Sequence, residues 1–227
     1  MVDYRLVTKR FVLQVGFTCP LRCRFCYYKE SLASGKVKDF TTKQIKKMLL
    51  EAKRLGKTEV ELSGGEPTIR ADIFDILSYA KSIGYKTICI ITNGLMTHNI
   101  EFMRKLVKAG LNEFLFSIHS PIESEHDWLT RVKGSWKKII KSVENAEKLV
   151  VNYRTNTVIM TKNCKNTDSL FELLKKYNPL AVNLLVYNPS NSKECVGPEL
   201  VDYNLIGDEL KKSIKKSSLF LWLIRSA

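Results

Sequence analysis

The stretch Cys19-Pro20-Leu21-Arg22-Cys23-Arg24-Phe25-Cys26-Tyr27 holds half of the chain's six cysteines and directly follows an apolar run, Phe11 to Phe17, that reads as a strand. Spacings of three and then two residues let one loop fold its sulfurs around a single soft metal centre. A disulfide would leave the third thiol without a partner.

Outward from that loop, short β-type runs alternate with amphipathic helices at a period of very roughly 25 to 40 residues, the pattern of consecutive βα units around a parallel sheet. Thr41 with Gln44 forms a capping box, and Ile45, Met48, Leu49, Ala52 and Leu55 follow at helical spacing until Gly56. Thr58 to Ser63 is the second strand. A helix from Asp72 to Ile83 buries Ile73, Ile76, Leu77 and Ala80, Gly84 closes it, and Lys86 to Thr92 is the third strand. Asn99 caps a helix carrying Ile100, Met103, Leu106 and Val107, ended by Gly110, and Glu113 to Ile118 is the fourth strand. After a longer connection, Ser135 opens a helix with Ile139, Ile140, Val143, Ala146 and Leu149 on one face. Tyr153 to Met160 is the fifth strand. Helix Asp168 to Tyr177 stops at Asn178-Pro179, since the residue before proline resists the α conformation. Strand six is Ala181 to Tyr187, and a lysine-rich helix runs from Leu205 to Lys216. Six βα units are two short of a closed eight-stranded barrel. The expected fold is therefore α/β, a partial (βα)6 TIM-like barrel with a parallel sheet open on one side. Residues 1–217 form the core domain, and 218–227 a short tail whose apolar patch, Leu219 to Ile224, packs under the sheet or marks a truncated end.

A chain of 227 residues, 44% hydrophobic and 26% charged, suits one large domain and excludes extensive disorder. Met1 to Arg10 has no apolar core of a secretory signal, and no run approaches the roughly 20 residues that span a bilayer. Without export, clustered cysteines favour metal or redox chemistry, and the expected compartment is the cytoplasm with no membrane partner. The net charge of +14 raises the question of a polyanionic partner. However, Lys43, Lys46, Lys47 and Lys53, then Lys137, Lys138 and Lys141, then Lys211, Lys212, Lys215 and Lys216 fall mostly on outer helix faces. Both a solvated surface and a functional basic surface stay open.

In such a fold chemistry sits at the C-terminal ends of the strands. The cysteine loop follows strand one, Gly64-Gly65-Glu66-Pro67 follows strand two, Thr92-Asn93-Gly94 follows strand three, and Ser117-Ile118-His119-Ser120 ends strand four. Through C-x3-C-x2-C with an aromatic, Phe25, before its last cysteine, and through the Gly-Gly-Glu-Pro turn one unit later, the chain resembles the radical S-adenosylmethionine (SAM) enzymes. The likeness extends from about Phe11 to Tyr187 and points to the broad group containing the molybdenum-cofactor cyclase and peptide-maturing enzymes.

That resemblance implies a [4Fe–4S] cluster held by Cys19, Cys23 and Cys26, with one iron left for SAM. It implies reductive cleavage of SAM to a 5′-deoxyadenosyl radical that abstracts a substrate hydrogen, and an electron donor such as ferredoxin or flavodoxin. It places the backbone of Gly64, Gly65 and Glu66, with Pro67, against the methionine amino group. It puts Thr92, Asn93, Ser117 and Asn156 among the polar contacts to SAM, and Val186 and Tyr187 at the adenine. The substrate (peptide, nucleotide or RNA) is not specified. A second reading keeps the thiols as a zinc knuckle completed by a distant His or Cys, in a non-catalytic protein that binds nucleic acid through its basic surface. The glycine turn read structurally is an ordinary turn, and Thr92, Asn93 and Ser117 are then strand-end caps. No residue is assigned to the chemistry itself, although His119 falls on the reactive face. His98 and His126 read as surface residues and Cys89 as a small core residue. Cys164 and Cys195 follow strands five and six, too few thiols for a second cluster.

Overall fold

The structure is a computed structural model, and it describes residues 8–28, 37–188 and 201–216 together with the backbone of 221–224. Strands β1 (Arg10–Gln14), β2 (Glu59–Ser63), β3 (Thr87–Thr92), β4 (Glu113–Ser117), β5 (Asn152–Ile159), β6 (Val182–Val186) and β7 (Leu221–Ile224) alternate with helices. These are α1 (Thr42–Arg54), α2 (Ile73–Ser82), α3 (Ile100–Ala109), α4 (Glu123–Thr130), α5 (Ser135–Lys148), α6 (Thr167–Lys175) and α7 (Tyr203–Lys216). The helix starts follow the local chemistry. Thr41 and Gln44 form a reciprocal capping box at α1, and the Asn99 side chain accepts the N–H groups of Glu101 and Phe102 at α3.

All neighbouring strands are parallel and follow chain order, so the sheet curls in one direction into an open half-barrel with its helices on the convex side. Leu221–Ile224 corrects the expectation for the tail: it pairs in parallel with β6, from Val182↔Leu221 to Leu185↔Ile224, as a seventh strand. The rest of the proposed tail, and Cys195, lie outside the described residues. Helix α4 fills what reads in sequence as a plain connection. Among the described residues no helix is long and apolar enough to cross a membrane.

Strand periodicity separates two faces. Val60, Leu62, Ile88, Ile90, Phe114, Phe116, Val182 and Leu184 pack with Ile45, Leu49, Ile76, Leu77, Met103, Leu106, Ile139 and Val143 in one continuous core. The opposite face carries charge at its N-terminal end. Glu61, Cys89 and Glu113 lie side by side in register, and Arg154 pairs with both carboxylates while Arg10 pairs with Glu59 and Glu61. Cys89 is thus buried as expected but sits among charges rather than in the apolar core. Donor atoms of Glu61, Cys89 and Glu113 come within 4.8 Å of one another, a spacing open to a metal ion. The guanidinium already supplies the positive charge there. Burial works against that charge, but Glu61 and Glu113 outweigh it and hold the Arg154 pKa above its ordinary value.

Candidate functional site

The cysteine loop is pinned on two sides. On one, the exits of β1 and β2 run together: Val15 N–H donates to Ser63 O at 2.8 Å, Gly65 N–H to Gly16 O at 2.9 Å and Glu66 N–H to Thr18 O at 2.9 Å. Only glycine permits this approach. A Cβ on Gly65 would lie 2.2 Å from Thr18 O and 2.3 Å from Phe17 O, and one on Gly64 (φ +140°) would lie 2.3 Å from Gly16 O. Since the N–H groups of Gly65 and Glu66 are engaged, what this turn can present to a ligand is carbonyl oxygen. On the other side, Arg22 N–H donates to Thr130 O (3.3 Å) and Arg24 N–H to Leu129 O (2.9 Å). The Arg24 guanidinium also bonds Trp128 O and lies 3.9 Å over the Trp128 ring. Asp39 accepts the N–H groups of Phe17 and Thr18 at the loop entrance, and Arg70 bonds Val15 O, Phe40 O and Asp72 behind it.

Within the loop, Cys26 N–H closes a turn onto Cys23 O at 3.1 Å. Burial, with Cys19 and Cys26 beside it, pushes the Cys23 thiol well up, and burial with Glu66 and Cys26 nearby takes Cys19 to about 11. Thiols that oppose one another's ionisation in this way become thiolates together around a positive centre. Their sulfurs do not form a group of three within 4.8 Å. Tetrahedral zinc with bonds of about 2.3 Å would need sulfurs roughly 3.8 Å apart.

Glu66 turns its side chain inward and ties the second and third strand ends together. It accepts from Thr68 N–H (3.1 Å), Thr68 Oγ1 (2.6 Å), Thr92 Oγ1 (2.8 Å) and Asn93 N–H (2.8 Å). Burial raises its pKa, while these four donors favour the carboxylate. Asn93 Nδ2 in turn lies 3.7 Å from Cys19 Sγ. Cys19, Gly64, Gly65, Glu66, Thr92 and Asn93 are therefore one connected unit, with Pro67 opening the short turn that follows.

Ser117 and Asn156 are register partners on β4 and β5, and Asn183 on β6 continues the same row. Sequence reading missed Asn183, whose signal was an amide in an otherwise aliphatic strand. Phe25 packs with Trp128 and Val158 against Leu129, Met160 and Tyr187, which brings Tyr187 to the cysteine loop. Val186 does not join them: its side chain packs against the main helix-side core. Strand alternation turns it away from the concave face.

His119 is buried under Phe25. Its Nδ1 accepts Val158 N–H at 3.2 Å, which leaves the ring proton on Nε2, and its carbonyl accepts from Asn163 Nδ2 at 2.6 Å. His126 was expected at the surface but is 1% exposed, and its Nδ1 accepts His119 N–H at 3.2 Å. Helix α4, which the sequence did not announce, is what buries it. Burial lowers both imidazole pKa values, that of His126 to about 4. His98 is half-buried and faces Leu95 O. Cys164 belongs to the main core, with its thiol on Thr161 O, and so does not face the loop. Asp127 explains how α5 starts without a side-chain cap of its own: its carboxylate accepts from Gly134 N–H, Ser135 Oγ and Trp136 N–H.

The chain is similar to the AdoMet-dependent heme synthase of Methanosarcina barkeri, 27% identical over 76% of this chain and 48% of that protein. It is also similar to a probable GTP 3′,8-cyclase of Thermoplasma volcanium, 27% identical over 91% of this chain and 62% of that one. The chain thus spans less than two thirds of these relatives' own length. In fold it matches Streptococcus suis SuiB bound to S-adenosylmethionine, with a TM-score of 0.76 at 18% identity, over 96% of this chain and 50% of SuiB. The family profile described as the Radical SAM superfamily matches residues 13–177, from the last residues of β1 through α6 and across the whole cysteine-loop site. The chain belongs to the radical SAM superfamily.

Proposed function

We propose that this protein binds a [4Fe–4S] cluster on Cys19, Cys23 and Cys26 and SAM beside it, and abstracts hydrogen from a substrate admitted through the open side of the half-barrel. The observation that carries the reading is the joining of the cysteine loop to the glycine turn, strand end to strand end, by Gly65 N–H to Gly16 O and Glu66 N–H to Thr18 O. Three thiols held as one unit leave a four-iron cluster one site short of its usual ligand set. When bound, the cluster and SAM supply the one-electron chemistry that generates the 5′-deoxyadenosyl radical.

The chain's residues bind and orient. Carbonyl oxygens of the Gly64-Gly65-Glu66 turn receive the amino group of SAM, and the buried Glu66 carboxylate beneath them favours its positive charge. Ser117 and Asn156 reach the ribose and carboxylate from the concave face. Phe25 and Tyr187 form the apolar wall for the adenine, while Thr92 and Asn93 support the site through Glu66 and Cys19. An acidic ferredoxin or flavodoxin supplies the electron. The substrate is a peptide, a nucleotide or RNA; of the relatives named above, the probable GTP cyclase fits the nucleotide class and the heme synthase fits none of the three. The family match across residues 13–177 favours the cluster over the zinc reading.

The test is anaerobic reconstitution followed by dithionite reduction. A brown protein with close to four irons per chain that converts SAM to 5′-deoxyadenosine is expected, and Cys23→Ala abolishes both properties. Iron-loaded, reduced protein that forms no 5′-deoxyadenosine refutes the reading.

A further inference from the structure

Asn93, the residue after β3, has a carboxamide with no freedom to turn. Its Oδ1 accepts Leu95 N–H at 3.0 Å, its own main-chain N–H donates to Glu66 Oε2 at 2.8 Å, and Nδ2 faces Cys19 Sγ at 3.7 Å. A main-chain N–H can only donate, so the oxygen must be the end turned to Leu95 and the amide hydrogens the end turned to the sulfur. The residue is buried, which keeps water from taking its place at the thiol.

Donor and sulfur are held on one frame. Glu66 ties Asn93 through its carboxylate and ties Thr18, the residue before Cys19, through its N–H. Beyond Asn93, Gly94 N–H donates to Thr92 Oγ1, and at φ +78° a Cβ on Gly94 would lie 2.5 Å from Ile139 Cδ1, so the turn is seated against α5. An amide fixed in this way needs no reorganisation when the charge on the sulfur changes. Cys19 also takes a main-chain bond from Leu21, which no substitution removes, so Asn93 is the replaceable donor of the two. A sulfur that holds an iron–sulfur centre carries part of any electron added to it, and an N–H donor bonds more strongly to the more negative state.

We propose that Asn93 raises the reduction potential of the cysteine-held centre by donating an Nδ2 hydrogen to the Cys19 sulfur. The inference rests on the functional reading above, in which Cys19 is a cluster ligand. In the reduction concerned, one electron leaves the external reductant and enters the centre, and the amide keeps both of its hydrogens throughout. Asn93 acts through Cys19 and is a positioning residue. Its effect is read in the potential of the centre, which a residue that only capped the turn would not move.

Two variants keep the turn and remove the donor. In Asn93→Ser the hydroxyl still accepts Leu95 N–H but is too short to reach the sulfur, and in Asn93→Asp the second carboxylate oxygen sets negative charge against it. The measurement is an anaerobic redox titration of the reconstituted protein without SAM, followed by the electron paramagnetic resonance signal of the reduced centre. Asn93→Ser is expected to bind iron as the wild type does. At a fixed solution potential its ratio of reduced to oxidised centre falls about tenfold, a midpoint lower by about 59 mV. Asn93→Asp moves further in the same direction. Asn99→Ala, which removes the cap of α3, lowers the melting temperature and leaves the midpoint in place. Wild-type protein labelled with heavy nitrogen in its asparagine side chains shows a weak nitrogen coupling to the reduced centre in pulsed resonance spectra, and Asn93→Ser lacks it.

An unchanged or higher midpoint in Asn93→Ser and Asn93→Asp overturns the proposal, as does a nitrogen coupling that persists in Asn93→Ser. An equal shift in Asn99→Ala also overturns it, because lost stability would then account for the change. If one of the two Asn93 variants binds no iron, the other decides; if neither does, the residue is structural and the proposal falls. Wild-type protein that assembles no four-iron centre refutes the functional reading itself, an outcome distinct from a cluster whose potential ignores Asn93.

Discussion

The imidazole of His119 stands edge-on to the ring of Phe25, the residue before the last cysteine of the loop, with centroids 4.5 Å apart and planes at 64°. His119 is itself fixed by Val158 N–H on Nδ1 and by Asn163 on its carbonyl, so it transmits the position of β5 to the cysteine loop. Two substitutions separate its roles. His119→Asn keeps an acceptor where Nδ1 stood but removes the ring. It is expected to raise the KM for SAM severalfold through a loosened Phe25, with a smaller loss of stability. His119→Phe keeps a ring but leaves the buried Val158 N–H without a partner, and should cost about 1–3 kcal/mol of stability. Urea unfolding and SAM-dependent kinetics, run side by side, check the split. Equal effects in the two variants would rule it out.

Stability should fall in mild acid because of the buried histidine pair. Folding lowers the His126 pKa from 6.5 to about 4, by burial, and moves His119 in the same direction. Between those values the unfolded chain binds protons that the folded chain refuses. The contribution is complete above the ordinary pKa near 6.5, is lost as pH falls toward 4, and changes no further below the folded value. Each such group adds a slope of at most about 1.4 kcal/mol per pH unit in that window. Denaturation midpoints from pH 7.5 to 4.5 measure it. His126→Asn, which retains an acceptor for His119 N–H, should flatten the curve.

The alternation of strands and helices and the C-x3-C-x2-C and Gly-Gly-Glu-Pro segments were legible because each rests on local pattern: period, capping residues and spacing. The strand-end location of the site followed from the same pattern, and Glu66, Thr92 and Asn93 proved to be one hydrogen-bonded unit with Cys19. What was not legible depends on which face a residue takes after the chain turns. Val186 was placed with Tyr187 by proximity in sequence, yet adjacent strand residues face opposite ways, and Val186 went to the core. His126 looked like a surface residue because Glu123, Ser124, Glu125 and Asp127 surround it. Glu125 and Asp127 are instead held by internal partners, so polarity there reports hydrogen bonding within the protein. The tail's strand pairing depends on β6, far away in sequence, and no local signal distinguishes an edge strand from an apolar end.

The glycine turn yields a sharp contrast. In Gly65→Ala the new methyl group would have to displace the backbone carbonyls of Phe17 and Thr18, in a segment held by Asp39, which accepts the Phe17 and Thr18 N–H groups, and by Glu66 N–H on Thr18 O. A loss of about 3 kcal/mol or more is expected, with iron retention falling as the loop shifts. Gly134→Ala tests backbone conformation alone. Its φ is +79° with nothing within 4 Å of a Cβ, so only the left-handed penalty of about 1–2 kcal/mol applies. Thermal melts of the two proteins, with iron assays after reconstitution, distinguish a packing requirement from a conformational one.

Arg154 is the counter-charge for two carboxylates that are each less than 10% exposed, Glu61 and Glu113, beneath the site. Removing it while filling its volume, as in Arg154→Met, leaves two buried anions beside Cys89 with only Arg10 near Glu61. The expected loss is about 3–5 kcal/mol, larger than the pair's net contribution to folding, because an uncompensated buried charge is what remains. Neutralising the anions at the same time, in Arg154→Met/Glu61→Gln/Glu113→Gln, should restore most of it. With the guanidinium gone, Glu61, Cys89 and Glu113 are also free to take a divalent cation. Added zinc should therefore raise the melting temperature of Arg154→Met and leave the wild type unmoved at this site. Stabilisation of both proteins alike would show that Arg154 is not what keeps a metal out of the barrel floor.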